Sequence, residues 1–295
     1  MVRKFKTADQ PLLEKAGLGR FAVNCIRWQN KDICKPEQCF VWEEDGSLLA
    51  GIAYAVFDSM ELDILDFAFC PEQEQAGVKL LEESLVQHGA GRFELVSYHL
   101  YHDTDDYEQV KFCFLGAGFE VFQEKYNYHY AGDEPLQLYT QRLRYRPLSQ
   151  VGREVYVEAI RLVTQDTLDR MDRLEVERMG EQAAAENQLE SLSNIHCDPE
   201  LWLLGYWDGE LAGLVVPQDF GKGTGAINYI GVVPAYRGNG FSRDLLHRGT
   251  EILLQRGIHK VIADIDADNH PMQETAEWLG YERQCEMVVL AKKLQ

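Results

Sequence analysis

Apolar and polar positions in the second half of the chain follow patterns that predict alternating strands and helices. The alternation over residues 153–162 predicts a strand, and Thr164 is the predicted N-cap of a helix that extends to about residue 185. Further strands are predicted at 201–207, 211–216, 226–233, 260–266 and 286–292, the first two as a hairpin, and further helices at 241–256 and 273–279. This order is typical of a mixed α/β fold built around a central sheet.

The first half of the chain repeats the motifs of the second half in the same order. EEDGSLLAG, FAFCP, LLEESLVQHG and FLGAGFE in the first half correspond to GYWDGELAG, IGVVP, GTEILLQRG and WLGYE in the second. In both halves, 25 positions separate the internal glycine of the first motif from the proline of the second. We therefore predict two domains of one fold, residues 1–148 and 149–295, joined at the linker-like run RYRPLSQVG.

Composition and charge exclude several classes of protein. Hydrophobic residues make up 45% of the 295 positions, which suits two globular domains. The net charge of −19 disfavours nucleic acid as a partner. It mildly favours a cationic or amine acceptor, and the alternative is that an acidic surface simply aids solubility. No apolar run approaches the roughly 20 residues of a membrane span, and the first residues lack a signal-peptide pattern, so we expect a cytoplasmic protein. Seven cysteines without a CxxC pair predict neither a disulfide framework nor a metal site.

A glycine-rich turn joins the predicted strand NYIGVV to the predicted helix that begins near Phe241. The turn extends from Pro234 to Gly240. Glycines let a backbone approach a ligand closely, and the start of a helix offers unpaired N–H groups with a favourable dipole. The sequence therefore predicts a phosphate-binding turn, although an RGxG motif alone is also compatible with an ordinary turn.

The run VVPAYRGNGFS resembles the pyrophosphate loop of the GNAT (Gcn5-related N-acetyltransferase) family, whose pattern is Gln or Arg, two residues, Gly, one residue, then Gly or Ala. Ser242 takes the place of the last small residue. The resemblance implies acetyl-CoA as cosubstrate, and it implies two GNAT-like domains, each a mixed, mostly antiparallel sheet flanked by helices. It places the pantetheine arm on the backbone of Val232 and Val233. The loop residues that it implies around the pyrophosphate are Arg237, Gly238, Asn239, Gly240, Phe241 and Ser242.

A second landmark agrees with this resemblance. GNAT proteins often carry an Asn followed eleven positions later by Gly and an aromatic residue, and Asn269 precedes Gly280 and Tyr281 at that spacing. By the resemblance, Asn269 follows a strand that diverges from the 228–233 strand and so opens a slot for the acyl arm. The alternative is that Asn269 caps a helix. The resemblance covers residues 153–295 well and residues 1–145 more faintly.

The sequence also departs from the family pattern where protons are handled. Many GNAT enzymes place a tyrosine acid seven positions after the Asn, where this chain has Ala276, and no carboxylate lies in the strand before Pro234. Acyl transfer from a thioester needs a neutral amine and a route for its proton. The catalytic candidates are Tyr229, Asp264 and Asp266, reached through water. Each has a purely structural alternative, as a packing aromatic or a solvated strand face.

The first copy lacks the phosphate-binding turn. Its segment from Pro71 to the glycine that ends the helix is five residues shorter than the segment from Pro234, and its turn places Glu72 and Glu74 where phosphate would lie. Because carboxylates repel a diphosphate, we expect this copy not to bind CoA. We expect it to pack on the second copy and to form one wall of the cleft that binds the acceptor. Tandem GNAT proteins with one degenerate half, such as mycothiol synthases, have a similar architecture.

These observations favour an N-acyltransferase that moves an acetyl group from acetyl-CoA to an amine of a small molecule or peptide. A non-catalytic acyl-CoA-binding protein is the alternative, because the usual tyrosine and carboxylate are missing, and a scaffold without a cofactor is a third hypothesis. We expect no metal, and a monomer or homodimer. The acceptor's identity is left open.

Overall fold

The computed structural model describes residues 1–57, 61–132, 136–195 and 198–294. They form two compact units. Unit 1 comprises Met1–Glu124 and Met287–Gln295, and unit 2 comprises Lys125–Glu286. Both units combine helices with a sheet whose strands are mostly antiparallel, as the sequence predicted.

Unit 1 has helices on both faces of its sheet. Its strands are β1 (Val2–Lys4), β2 (Cys39–Glu44), β3 (Ser47–Ala55), β4 (Glu61–Phe69) and β5 (Leu95–Tyr101), and its helices are α1 (Gln10–Lys15), α2 (Gly19–Gln29), α3 (Glu74–His88) and α4 (Tyr107–Gly116), with 3₁₀ turns at Thr7–Asp9, Pro36–Gln38 and Ala90–Arg92. Side chains alternate along β2: Phe40 packs in the apolar cluster that contains Leu80 of α3, and Val41 in the cluster that contains Phe21 of α2.

Unit 2 is built around the second copy of the motifs. Its strands are β6 (Glu120–Ala131, from Lys125 onward), β7 (Arg144–Pro147), β8 (Leu203–Trp207), β9 (Glu210–Asp219), β10 (Thr224–Val232) and β11 (Lys260–Asp266), and its helices are α5 (Leu148–Val151), α6 (Arg153–Val163), α7 (Arg170–Met179), α8 (Glu181–Ile195), α9 (Phe241–Gln255) and α10 (His270–Leu279), with a 3₁₀ turn at Pro234–Tyr236. Gly249 lets α9 lie close to the sheet, because a Cβ there would meet Val215 Cγ2 at 2.8 Å and Ile227 Cδ1 at 2.9 Å.

The two halves of the chain exchange strands. Residues 125–131 of β6 pair antiparallel with β11 and complete the sheet of unit 2. The final strand β12 (Glu282–Lys293) gives residues 287–293 to β5 and completes the sheet of unit 1. The unit boundaries therefore differ from the predicted division between residues 148 and 149. The physical reason is that pairing between strands far apart in sequence leaves no local signal at a linker.

Two predicted elements are wrong. Residues 153–162 form helix α6, not a strand, and Tyr156, Ile160 and Val163 are buried at helical spacing. Thr164 ends this helix, with its hydroxyl donating to the carbonyls of Ile160 and Arg161. The next helix starts at Asp169, whose carboxylate caps α7.

The remaining predicted elements of the second half are confirmed with small shifts of their ends. These are the hairpin β8–β9, strands β10, β11 and β12, and helices α9 and α10, the last ending at Gly280 in the left-handed conformation. Within the described ranges, no helix is long and apolar enough to cross a membrane. The same residues contain no group of three metal-ligating side chains; Cys197 lies outside them.

Candidate active site

Strands β10 and β11 diverge and open a slot in unit 2. They pair in parallel only at the start, from Thr224 opposite Lys260 to Ala226 opposite Ile262. Beyond Ile227, β10 remains paired with β9 on its other edge, and the edge that faces the slot has no strand partner among the described residues. A pocket of about 420 Å³ occupies the divergence. This is the splayed pair that the sequence predicted ahead of Asn269.

The glycine-rich turn lies at one end of this pocket. Gly238 and Gly240 have φ of +78° and +75°, which side chains disfavour, and Gly240 precedes α9 without a side-chain cap. The five backbone N–H groups from Gly238 to Ser242 donate to no described residue. Free N–H groups at the start of a helix bind anions, so this turn fits the diphosphate of a coenzyme.

The pocket contacts most, but not all, of the predicted cofactor residues. Val232, Arg237, Gly238, Gly240, Phe241, Ser242 and Asn269 line it, whereas Val233 and Asn239 do not. The N–H of Val233 donates to Ala212 O, so it is already used within the sheet. The Asn239 amide donates to the carbonyls of Tyr236 and Arg237 and so shapes the turn.

The Arg237 side chain donates hydrogen bonds to backbone carbonyls on two sides of the turn. Its guanidinium donates to the carbonyls of Val163 at the end of α6, of Gln165 and Asp166 just after it, and of Val232 at the end of β10. These bonds tie the loop after α6 to the phosphate-binding turn. A direct contact between Arg237 and a phosphate stays a prediction.

Arg142 is a residue of this site that the sequence analysis missed. It donates to Asn239 O in the turn and to both oxygens of Asp244, a fully buried carboxylate in the first turn of α9, and its guanidinium lies over the Phe241 ring. Tyr139 also donates to Asp244. Because Arg142 and Asp244 are 102 residues apart, no local motif connects them.

Tyr229 meets a carboxylate that the sequence did not single out. The Tyr229 hydroxyl donates to Asp172 Oδ2 of α7 at 3.0 Å, and both residues line the pocket. Burial, together with the nearby carboxylate of Asp169, raises the pKa of Asp172 to about 8, and the hydrogen bond from Tyr229 opposes the rise. Burial and the Asp172 carboxylate raise the pKa of Tyr229 well above its ordinary value. A helix and a strand thus bring an acid and a phenol together inside the slot.

Asp264 and Asp266 also line the pocket, and each has its own partner. Asp264 Oδ1 accepts from the Asn127 amide at 2.6 Å. Asp266 is 3% exposed, accepts from the Arg170 backbone N–H, and lies 3.6 Å from Lys125 Nζ. Burial lowers the pKa of Lys125, but the carboxylates of Asp169 and Asp266 outweigh it and raise that pKa above its usual value.

The predicted landmarks on α10 have structural roles. The Asn269 side chain accepts from Met272 N at the start of α10, so the N-cap alternative is confirmed, and its contact with an acyl arm stays a prediction. Ser242 shares a hydroxyl hydrogen bond with Thr275 at 2.9 Å. Ala276 is fully buried in the core and does not line the pocket.

Sequence comparisons agree with this geometry. A model described as "Acetyltransferase (GNAT) family" matches residues 168–281. An acetyltransferase of Sodalis glossinidius is 35% identical over 97 residues, 33% of this chain and 68% of that protein. An uncharacterized N-acetyltransferase of Yersinia pestis is 36% identical over 97 residues, 33% of this chain and 67% of that protein. The chain belongs to the GNAT family. It is therefore an acyltransferase of the GNAT type, and the family implies acetyl-CoA as cosubstrate.

Solved GNAT structures share the fold over the whole chain. A GCN5-related N-acetyltransferase from Sphaerobacter thermophilus superposes with a TM-score of 0.70 at 16% identity, covering 100% of this chain and 96% of that one. A tandem GNAT protein from the clavulanic acid biosynthesis pathway covers 87% of this chain and 82% of its own, with a TM-score of 0.58 at 12% identity. At these identities the similarity concerns fold, and it supports the tandem GNAT architecture.

Proposed function

We propose that this GNAT protein transfers the acetyl group of acetyl-CoA to an amine of a small molecule or peptide, with unit 2 binding the cosubstrate. The observation that carries the proposal is the row of five free N–H groups from Gly238 to Ser242 at the mouth of the slot. A diphosphate placed there is held by oriented donors and by the positive end of the α9 dipole.

The direction of β10 suggests where the pantetheine arm and the thioester of acetyl-CoA bind. Its slot-facing edge beyond Ile227 offers backbone donors and acceptors to an extended chain, as an unpaired strand edge does. The pantetheine amides hydrogen-bond to this edge near Val232, and the thioester then lies deeper between β10 and β11. A backbone N–H near Val232 polarises the thioester carbonyl in this arrangement.

The acceptor amine enters the part of the slot that carries the polar side chains. Tyr229, Asp264 and Asp266 all line the pocket there, so each sequence candidate is within reach of water bound in the slot. A neutral amine nitrogen attacks the thioester carbon, the C–S bond breaks, and CoA leaves as a thiolate that takes up a proton. Because a thiol pKa lies near 8.5, the departing sulfur needs no dedicated acid, consistent with an alanine at position 276.

Two measurements test this proposal. Calorimetric titration with acetyl-CoA should give one site per chain, and release of free CoA thiol should depend on an added primary amine. Binding without amine-dependent release across a broad amine panel would favour the non-catalytic acyl-CoA-binding alternative. No binding at all would contradict the assignment of the turn to the diphosphate.

A further inference from the structure

Asp172 differs from the other carboxylates of the slot in what surrounds it. Asp169 uses one oxygen to cap α7, Asp264 accepts from an amide, and Asp266 accepts a backbone N–H beside Lys125. The hydrogen-bond partner of Asp172 is instead the Tyr229 hydroxyl, which itself lines the slot and can both accept and donate a proton.

The charged groups around Asp172 come from three elements. Asp169 and Glu175 on α7 disfavour a further negative charge, Lys125 on β6 favours it, and the Tyr229 hydroxyl on β10 stabilises it by a hydrogen bond. Burial and the two carboxylates prevail, so the pKa of Asp172 rises to about 8. A base whose pKa lies near the working pH both takes up and releases protons readily.

The position of the pair suits proton removal from an acceptor. Tyr229 and Asp172 line the same slot that opens between β10 and β11, beside Ile230 and Ala263. The Tyr229 hydroxyl is joined to Asp172 Oδ2 by a hydrogen bond of 3.0 Å, so a proton given to the phenol oxygen can pass to the carboxylate in one step. Burial raises the pKa of Tyr229 well above its ordinary value, so the phenol does not ionise by itself.

We infer that Asp172 is the final proton acceptor for the attacking amine and that the Tyr229 hydroxyl relays the proton. This inference rests on the proposed acetyl transfer. The nitrogen lone pair of the neutral amine forms the bond to the acetyl carbon, which makes the N–H acidic. The nitrogen then gives a proton to the Tyr229 oxygen while the phenol gives its own proton to Asp172 Oδ2. The C–S bond breaks, and its electrons leave with sulfur as the CoA thiolate. Asp172 returns its proton to solvent before the next turnover.

The main test compares Asp172→Asn with Asp268→Asn, a change at an exposed aspartate that does not line the pocket. The Asp172 variant should lose about 10²- to 10⁴-fold in kcat at pH 8, the range for one positioned base, with acetyl-CoA affinity unchanged. The Asp268 variant should match the wild type. In the wild type, kcat should rise with pH through a midpoint near pH 8, and the midpoint should be the same for two acceptor amines of different pKa. This rise should be absent after Asp172→Asn.

Tyr229→Phe tests the relay through its effect on pH dependence. Loss of the hydrogen bond to the ionised carboxylate should move the midpoint of kcat to higher pH and also lower the plateau, because the proton then crosses through water. Unchanged midpoint and plateau in this variant would show that the phenol does not connect the amine to Asp172.

A readout that needs no turnover keeps the inference separate from the proposed function. In protein labelled with ¹³C at aspartate carboxyls, one resonance should titrate near pH 8 and disappear in Asp172→Asn. Absence of that resonance, or a wild-type rate and pH profile in the variant, would overturn the inference alone. If the resonance titrates but the wild type releases no thiol with any amine, acetyl transfer itself fails and the proton acceptor falls with it.

Discussion

The two units share a frame but differ in what lies between their diverging strands. Strands β4 and β5 of unit 1 pair in parallel over three residues, as β10 and β11 do in unit 2, and helices α3 and α9 both have 15 residues. Counted from the first paired residue, Tyr98 of β5 occupies the position of Ala263 in β11. The ring of Tyr98 stacks on the ring of Phe114 with 4.7 Å between their centroids, whereas the small side chain of Ala263 lines a pocket.

The turns before α3 and α9 also differ in whether their backbone N–H groups are available to a ligand. In unit 1 the N–H of Gln73, the residue before α3, donates to Cys70 O, and Glu72 adopts a φ of +62° in the turn. In unit 2 the N–H of Gly240, the residue before α9, donates to no described residue. The divergence of strands therefore belongs to the fold, while ligand binding depends on the turn and on side-chain size in the slot.

The largest expected effect is the loss of acetyl-CoA affinity when the glycine-rich turn of unit 2 is altered. Gly240→Glu places a carboxylate where the diphosphate is proposed to bind, and acetyl-CoA affinity should fall at least ~100-fold. Gly257→Glu is a matched control at the other end of α9, with φ of +79° compared with +75° and the same added charge. Both variants carry about 1–2 kcal/mol of backbone strain. Calorimetry should show loss of binding in the first only; equal affinities would place the diphosphate elsewhere.

A change in unit 1 tests whether its aromatic filling is structural. Phe114 is fully buried and contacts Phe67, Tyr98 and Phe119. Phe114→Ala should cost about 3–5 kcal/mol of unfolding free energy, since it leaves a cavity among these rings. Denaturant unfolding measures the loss, and the affinity for acetyl-CoA at temperatures where the variant is folded should stay unchanged. A weaker affinity would mean that unit 1 contributes to the cosubstrate site.

The raised pKa in unit 2 should appear as a dependence of stability on pH. Asp172 keeps its proton up to about pH 8 in the folded chain, but in the unfolded chain only up to about pH 4. Between these values the folded state holds more protons, so its stability falls as pH rises. Asp172→Asn removes this effect. Its stability relative to wild type should increase by about 2 kcal/mol from pH 5 to pH 9, a fraction of the full shift because nearby Lys125 and water relax. Urea unfolding at both pH values measures this difference. The same difference in unfolding free energy between variant and wild type at pH 5 and at pH 9 would contradict the raised pKa.

The smallest expected effect concerns the contact between Arg142 and the turn. Arg142→Lys keeps the charge but loses the planar group that binds Asp244 and Asn239 O together. Acetyl-CoA affinity should weaken about 3- to 10-fold, the cost of one or two hydrogen bonds. Arg248→Lys is the control, because Arg248 lies on α9, as Asp244 does, and pairs with Glu251; this variant should bind like wild type. Identical affinities would show that the turn is ordered without Arg142.

Local patterns in the sequence predicted much of unit 2. Apolar runs bounded by turn residues gave β10 and β11, and helical spacing gave α9 and α10. Residues 153–162 were assigned wrongly because their apolar positions satisfy both a two-residue and a helical period, and only packing against the core decides between them. Elements with one clear period were therefore predictable, and the ambiguous one was not.

The chemistry of the slot was predictable only in part. The glycine turn carries its own local signal, and Tyr229 was a candidate from its strand. Asp172 has no such signal, because α7 has no fully buried residues whose spacing would mark the face that meets the slot, and the partner phenol lies 57 positions away. Arg142 was missed for the same reason. Burial and long-range contacts, which determine these groups, are properties of the folded chain.

The strand exchange has a consequence for the order of events during synthesis. Unit 1 obtains its last strand from residues 287–293, which a ribosome produces after every other strand of the chain. At about 5–20 residues per second, roughly 10–30 seconds pass between the end of residue 124 and the arrival of that strand. Throughout this interval the backbone of β5 lacks its β12 partner, and unpaired strand edges are sites of aggregation. The first half of the nascent chain therefore cannot finish folding until the second half has been synthesised.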